Sequence, residues 1–346
     1  MNEKTKEFIK NKKIRQDKVN MYKNNITSFD YIGMPFWSFI RNINNLVVII
    51  KIVKNWQDVL LFRLGLKQRF TMIMETGEQI EINKSSDYFR YWNSDEGQMA
   101  LMLCKNLNCN IKIDKDNKLI GLRFKTNNRM IKFHYDSPVQ LSNTLGLIRE
   151  NFIEEQYQWL NVKDKVVIDI GANIGDTAIY FALKGARHVY AFEPYPYSYN
   201  LAKKNINLNK LNNKISSFNQ GIGAKRTTIN IKPSFKNYGG SDLKNFEGGK
   251  SVEIITLKDI VKRFNIKHAI LKIDCEGCEY GAILNAPNEI LRKFDQIMIE
   301  YHYGYLNLKA KLENAGFKVR NTIPHFLFND LAENHDMIIG CIYAKR

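Results

Sequence analysis

The chain has 346 residues, of which 44% are hydrophobic and 12% are aromatic. This composition supplies enough apolar side chains for a folded core and excludes wholesale disorder, and the length suggests two domains or one domain with a long extension. The formal net charge is +17, with 52 Lys and Arg against 35 Asp and Glu.

The excess positive charge is concentrated at the start of the chain. Residues 1–70 contain 14 Lys and Arg against 5 Asp and Glu, a balance of +9, whereas residues 71–150 balance at +1. A basic region of this kind can contact RNA, an anionic lipid surface or a phosphorylated substrate, and it also occurs in ordinary proteins of high pI. The sequence leaves these alternatives open and carries no indication of oligomeric state.

Targeting and redox features predict a cytoplasmic protein. Five cysteines in a long chain, without the spacing of a disulfide framework, indicate free thiols in a reducing compartment. No secretory signal follows Met1, and the apolar run 46–50 is far shorter than the roughly 20 residues that cross a bilayer. We therefore expect no transmembrane segment, and peripheral attachment to a membrane is one interpretation of the basic start.

The first 150 residues are predicted to form a helical start followed by a β-rich region. Apolar residues recur at helical spacing over 34–66, a pattern that fits a membrane surface or packing on the rest of the protein. Alternating apolar residues then predict short antiparallel strands. These strands cover 71–75, 79–82, 111–113, 119–124 and 130–133. A connector with a helix near 150–160 is expected to follow.

Buried strands and helices alternate after residue 165, which predicts a mostly parallel sheet with helices on both faces. The predicted strands cover 166–170, 188–192, 215–218, 252–256, 269–273, 296–299 and 337–343. The predicted helices cover 175–184, 197–208, 257–264, 278–284 and 305–315. We therefore expect an N-terminal region of residues 1–150 and an α/β domain of residues 151–346. In such sheets ligands bind beyond the carboxyl ends of the strands.

A small-residue loop follows the first of these strands. The loop runs Asp169-Ile-Gly171-Ala-Asn173-Ile-Gly175, and it lets a ligand approach the backbone and the N-terminus of the next helix. Asn173 stands at the middle glycine of the dinucleotide pattern Gly-x-Gly-x-x-Gly, which weakens an interpretation as a hydride-transfer enzyme.

An acidic residue ends the second strand. Glu193 is followed by Pro194, which stops the strand and shapes the turn. A carboxylate at this place can accept hydrogen bonds from both hydroxyls of a ribose. Together with the glycine loop, Glu193 indicates a nucleoside site.

Polar residues also follow the strands predicted at 269–273 and 296–299. They are Asp274, Glu276, Glu300 and His302. A single acid in such a position is commonly a helix cap, but four such groups on neighbouring strands favour a catalytic site. The Cys275-Glu-Gly-Cys278 segment lacks the second pair that a zinc site needs, and we interpret both cysteines as small apolar filling.

The order of these motifs resembles the FkbM family of S-adenosylmethionine-dependent methyltransferases over residues 150–320. The segments that carry the resemblance are VVIDIGANIGD, YAFEPYPYSYNLAKKNINLN, ITLKDI, ILKIDCEGCEYGAIL and IMIEYH. The most distinctive is Lys-Ile-Asp-x-Glu-Gly-x-Glu at 272–279. The resemblance implies a class I methyltransferase fold, which is Rossmann-like, with S-adenosylmethionine as cofactor.

The resemblance also implies roles for individual residues. The methionine half of the cofactor would lie against Asp169, Gly171, Asn173 and Gly175. Glu193 would hold the ribose beside Pro194, Gln220 and Gly221 would border the adenine, and Asp274 would serve both cofactor and catalysis. The Gly239–Asp242 segment resembles a loop that closes over the site.

The expected reaction is methyl transfer to an oxygen of a sugar, a glycan or another small-molecule acceptor. An alcohol must lose its proton during this transfer, and Glu276 and His302 are the first candidates for that work, with Asp274 and Glu300 beside them. We assign no metal, because the spacing matches no specific metal motif, and a hard ion such as Mg²⁺ that orients a diol among these oxygens stays an open alternative. The alternatives are a tRNA methyltransferase, favoured by the basic start, and a non-catalytic nucleoside-binding module.

Overall fold

A computed structural model describes residues 25–27, 49–75, 77–92, 109–124, 129–231, 248–327 and 337–346, together with Ser94, Gly97 and Met99. The helical pattern before residue 49 and the Gly239–Asp242 segment lie outside the described residues. The chain divides into two compact units, one of residues 38–156 and the other of residues 1–37 and 157–346.

The described part of the 38–156 unit contains two small antiparallel sheets and several helices. In chain order its elements are α1 (Trp56–Arg63), β1 (Phe70–Ile73), β2 (Gln79–Ile82), α2 (Ser85–Trp92), β3 (Cys109–Asp114), β4 (Leu119–Phe124), β5 (Met130–His134) and α3 (Pro138–Ile148). β1 pairs with β2, and β4 pairs with both β3 and β5. The short antiparallel strands predicted here are confirmed.

The helix expected near 150–160 begins much earlier, so that prediction is wrong. α3 starts at Pro138, because Ser137 is its N-cap and accepts a hydrogen bond from the backbone N–H of Gln140 at 3.3 Å. Proline suits the first turn of a helix, where its missing N–H has no partner to lose. A π-helical turn, Arg149–Ile153, continues the helix to its end.

The larger unit contains the predicted α/β sheet. Its elements are β6 (Val166–Ile170), α4 (Asp176–Leu183), β7 (His188–Phe192), α5 (Pro196–Leu208), β8 (Ile215–Phe218), β9 (Gln220–Ile222), β10 (Thr227–Ile231), β11 (Lys250–Ile255), α6 (Leu257–Arg263), β12 (Ala269–Ile273), α7 (Cys278–Leu284), α8 (Asn288–Leu291), β13 (Phe294–Tyr301), α9 (Leu306–Asn314), β14 (Lys318–Asn321), β15 (His325–Leu327) and β16 (Met337–Lys345). The main sheet has the order β14-β16-β13-β12-β6-β7-β8.

The five strands from β13 to β8 run parallel, and β16 runs antiparallel between β13 and β14. The central strands are continuous apolar runs, and all five residues of β12 are buried. A strand of that kind is stable only where helices cover both faces of the sheet. The predicted Rossmann-like α/β fold is confirmed.

One predicted strand belongs to another sheet. β11 was expected in the parallel sheet, but it pairs with β9 and β10 in a separate three-stranded sheet. Its burial largely alternates instead of being continuous, as expected for a strand with one covered face.

The register of the main sheet determines where the loops meet. Ile170, the last residue of β6, lies opposite Phe192 at the end of β7 and opposite Ile273 at the end of β12. Because these strands are parallel, the residues that follow them emerge together at one edge.

Residues 25–27 pack with this unit beside the same edge. The Asn25 side chain accepts a hydrogen bond from the backbone N–H of Asn307 at 3.0 Å, and its carbonyl accepts one from Tyr305 at 2.9 Å, so that Asn25 caps the start of α9. Ile26 is buried in the core of the unit. No helix in the described part of the chain is long and apolar enough to span a membrane.

Candidate active site

A cleft opens at the carboxyl edge of β6, β7 and β12. Its lining comes from the loops that follow these three strands and from β9. The lining residues are Ile170, Gly171, Asn173, Phe192, Glu193, Pro194, Tyr195, Gln220, Gly221, Ile222, Asp274, Cys275, Glu276 and Cys278. Polar groups therefore project from an otherwise apolar wall, as is usual for small-molecule sites.

The loop after β6 is held against both neighbouring loops. Gly171 has a φ of +76°, and a Cβ at this position would lie 1.7 Å from the backbone oxygen of Asp274. The N–H groups of Gly171 and Ala172 both donate to the carbonyl of Phe192 at 3.0 Å. The close approach of the β6 and β12 loops therefore requires glycine at position 171.

A buried ion pair supports this loop from below. Lys272 is 1% exposed and Asp169 is 0% exposed, and Lys272 Nζ lies 3.1 Å from Asp169 Oδ1. Lys272 Nζ also donates to the carbonyl of Gly171 at 2.9 Å, and the Thr177 hydroxyl donates to Asp169 Oδ2 at 2.6 Å. Burial disfavours the ammonium, but the carboxylates of Asp169, Asp274 and Asp176 outweigh it and raise the pKa of Lys272. Asp169 thus lies beneath the cleft and does not line it.

Glu193 is fixed by the backbone on two sides. Its Oε2 accepts a hydrogen bond from the N–H of Asn173, and its Oε1 accepts one from the N–H of Tyr195, both at 2.9 Å. The residue is 6% exposed, and burial raises its pKa to about 8 in spite of these two bonds. Each oxygen keeps a second lone pair with which it can accept a hydrogen bond from a ligand hydroxyl.

Three titratable side chains converge at the opposite wall. His302 Nε2 lies 3.1 Å from Glu276 Oε2 and 3.8 Å from Asp274 Oδ1. His302 follows the end of β13 and is buried, whereas Glu276 and Asp274 are half-buried in the β12 loop. Glu276 has a φ of +57°, so the backbone turns sharply at this carboxylate.

Glu279 positions His302 from the other side. Glu279 is 0% exposed, and its Oε1 lies 2.9 Å from His302 Nδ1 and accepts the backbone N–H of His302 at 3.1 Å. Its Oε2 accepts the N–H of Gly277 at 2.9 Å. Burial disfavours the imidazolium, but the carboxylates of Glu279 and Glu276 outweigh it and hold the pKa of His302 well above its usual range.

Cys275 and Cys278 are joined by a disulfide, so the interpretation as free thiols and apolar filling is wrong for this pair. The turn at the start of α7 brings their Cα atoms to 5.4 Å, inside the range that a disulfide bridges. The bond closes a ring around Glu276 and Gly277 in the wall of the cleft. Cys341 carries a free thiol.

The structure brings most of the predicted site residues to one cleft. Gly171, Asn173, Glu193, Pro194, Gln220, Gly221, Asp274 and Glu276 line it, and His302 lies directly behind Glu276. Gly175 is the N-cap of α4, and Ala202 packs against it, away from the lining. Glu300 is half-buried and is neither among the lining residues nor in the cluster around His302. Its role remains a prediction.

Two residues that support the site, Lys272 and Glu279, were assigned no function in the sequence analysis. Lys272 interrupts an apolar strand, and a charged residue in such a run is itself a signal of a buried ion pair. Glu279 belongs to the 272–279 motif, but its contact with His302 depends on the packing of α7 against the end of β13.

Comparison with known proteins finds a family model that matches part of this unit. The methyltransferase FkbM domain matches residues 169–319. A tRNA (guanine(37)-N(1))-methyltransferase, Trm5b of Methanocaldococcus jannaschii, is 31% identical over 137 residues, which are 38% of this chain and 40% of that protein. The chain therefore spans less than half the length of that relative.

Solved structures are also similar to the chain, at low identity. Methyltransferase FkbM from Methylobacillus flagellatus KT has 16% identity and a TM-score of 0.36, over 61% of this chain and 56% of that chain. TrmK of M. capricolum, solved in complex with S-adenosyl-homocysteine, has 17% identity and a TM-score of 0.35, over 56% of this chain and 67% of that chain. The domain match confirms the resemblance found in the sequence: residues 169–319, which are less than half of the chain, match the methyltransferase FkbM domain.

Proposed function

We propose that this protein transfers a methyl group from S-adenosylmethionine to a hydroxyl oxygen of a sugar, a glycan or another small-molecule acceptor. The observation that carries the proposal is one cleft with Glu193 on one wall and Glu276, backed by His302, on the other. The first wall suits a nucleoside, and the second suits an alcohol that must lose a proton.

The residues of the cleft fit the cofactor. Glu193 has two free lone pairs for ribose hydroxyls, and the apolar side chains of Phe192 and Ile222 offer a surface for a flat base. When bound, S-adenosylmethionine would supply an electrophilic methyl group, with the neutral thioether as leaving group.

Glu276 is the group that accepts the proton of the acceptor hydroxyl. It lines the cleft, and its contact with His302 Nε2 fixes the direction of the carboxylate. His302 is in turn fixed by Glu279, so both side chains are positioned before the acceptor arrives. Proton transfer to a positioned carboxylate contributes about 10²–10⁴-fold to the rate of such reactions.

The test is transfer of labelled methyl groups to a panel of monosaccharides, oligosaccharides and tRNA transcripts. We expect an alcohol of the carbohydrate set to be labelled. In the Glu276→Gln variant, kcat should fall at least 100-fold while S-adenosyl-homocysteine still binds. Glu289→Gln, at an exposed helix position, is the matched control and should leave kcat unchanged. An unchanged kcat in Glu276→Gln would refute the assignment of the base.

A tRNA acceptor is the second candidate, favoured by the similarity to a tRNA methyltransferase and by the basic charge. A second cleft, lined by Trp159, Lys318, Arg320, Lys345 and Arg346 among others, could bind phosphates. Gln296 in β13 lines this second cleft, six residues before His302. At the rise of a strand, the second cleft therefore lies about 20 Å from His302. The described lining of the first cleft holds no Lys or Arg, which favours the small acceptor. Labelling of tRNA, with binding that weakens steeply as salt rises, would reverse this order.

A further inference from the structure

We infer that Asp274, Glu276 and His302 form a site for a divalent cation of the Mg²⁺ or Mn²⁺ class. The inference rests on the proposed function, because the cation would act on the acceptor hydroxyl at the same wall of the cleft. Each residue offers one ligand atom, and these atoms all lie within 4.8 Å of one another, so the second carboxylate oxygen of Glu276 stays available to accept the proton of the acceptor. Two carboxylate oxygens and one imidazole nitrogen form a donor set that such cations accept.

The orientation of His302 is that of a metal ligand. Glu279, fully buried, occupies Nδ1 at 2.9 Å, and Nε2 is directed at the two carboxylates, where a bound cation would take the place of its proton. Metal-binding histidines commonly donate their second ring N–H to a carboxylate, which fixes the ring and the tautomer. Glu279 is itself held by the backbone of Gly277 and His302, so the arrangement is built into the fold and does not depend on a mobile surface group.

Charge balance points to a cation at the same place. Three carboxylates, those of Asp274, Glu276 and Glu279, surround the single imidazole of His302. The buried ammonium of Lys272 is ion-paired with Asp169. A half-buried excess of negative charge is costly, and a divalent cation between the carboxylates would offset it.

A bound cation would refine the substrate class. Three protein ligands leave about three positions of an octahedral shell for oxygens of water or of the acceptor. A hydroxyl oxygen bound there would be polarised and oriented, which suits an alcohol and not a ring nitrogen of a nucleobase. The cation site and O-methylation are therefore linked by chemistry.

The test is titration of the chelator-treated full chain with Mn²⁺, with free Mn²⁺ measured by electron paramagnetic resonance and without any methyl donor. We expect one saturable site per chain. His302→Asn keeps a donor for Glu279 but removes Nε2, and it should weaken Mn²⁺ at least tenfold. Asp274→Asn should do the same, and Glu279→Gln should weaken Mn²⁺ about 10–100-fold by loosening the ring.

His268→Ala and Glu289→Gln are matched controls, since His268 is largely exposed and pairs with Asp295 at the other end of the sheet. Both should bind Mn²⁺ like the wild type. If His302→Asn fails to fold by circular dichroism, Asp274→Asn decides, because its side chain faces the cleft. Absence of saturable binding, or binding unchanged in both ligand variants, overturns the inference.

The cation site and the methyl transfer can be refuted independently of each other. Methyl transfer that persists in EDTA, in a chain that binds S-adenosyl-homocysteine but no Mn²⁺, removes the cation and leaves the proposed function. Saturable Mn²⁺ binding in a chain that does not bind S-adenosyl-homocysteine removes the proposed function and leaves the cation site.

Discussion

Substitution of Gly171 tests how closely the glycine loop must approach the β12 loop. In Gly171→Ala the residue must keep a φ near +76°, which costs an L-residue about 1–2 kcal/mol. The new Cβ would also lie 1.7 Å from the carbonyl oxygen of Asp274, so one backbone must move. Overpacking of this kind costs about 1–3 kcal/mol. The two effects together predict a loss of about 2–5 kcal/mol in the free energy of unfolding.

Gly185→Ala is a matched control that measures only the cost of a positive φ in a residue with a side chain. Gly185 has a φ of +93°, and the nearest atom to an added Cβ is Lys163 Cγ at 3.6 Å, an ordinary contact. This variant should lose only about 1–2 kcal/mol in urea denaturation followed by circular dichroism. Calorimetry should also find S-adenosyl-homocysteine bound at least tenfold more weakly by Gly171→Ala and normally by Gly185→Ala. Equal losses of stability and unchanged binding in both variants would refute the role of the close approach.

Three further predictions concern the supports of the cleft. Lys272→Met leaves the Asp169 carboxylate buried without its partner and should cost about 3–5 kcal/mol in urea denaturation, part of which Asp169→Asn should restore; additive losses in the double variant would contradict this. Replacement of both Cys275 and Cys278 by Ser removes a four-residue disulfide ring and should lower the free energy of unfolding by about 2 kcal/mol, and thiol titration of the unfolded wild type should find two cysteines fewer than the five in the sequence. Burial raises the pKa of Glu193 to about 8, and ribose hydroxyls donate to the ionised carboxylate. The affinity for S-adenosyl-homocysteine should therefore rise from pH 6 to 9, by up to about tenfold per pH unit below that pKa, and Glu193→Gln should flatten the rise; a flat wild-type profile would contradict the ribose role.

The parts of the site that lie at the end of a single strand could be predicted from local sequence motifs. The glycine loop after β6 and Glu193 after β7 were predictable because a strand, its stop and its loop are contiguous in sequence. The parallel register of β6, β7 and β12 then places these loops at one edge, as the alternation of strands and helices implied.

Contacts between segments that are distant in sequence could not be predicted in this way. β13 ends at Tyr301, so the direction of His302 depends on the turn that follows and on Glu279 in α7, 23 residues earlier. The Cys275–Cys278 bond depends on the backbone turn at Glu276, which residue types alone do not specify. Ser137-Pro138 is a typical start of a helix, but it lies in a polar segment that was interpreted as a connector, so the start of α3 was not predicted.

We expect the cleft beyond β6 and β7 to hold an adenosyl cofactor through Glu193. Isothermal titration of S-adenosyl-homocysteine into the full chain tests it most directly. We predict saturable binding of one molecule per chain and at least tenfold weaker binding in Glu193→Ala. A wild-type chain that takes up no S-adenosyl-homocysteine, or a Glu193→Ala chain that binds it equally well, would contradict the account.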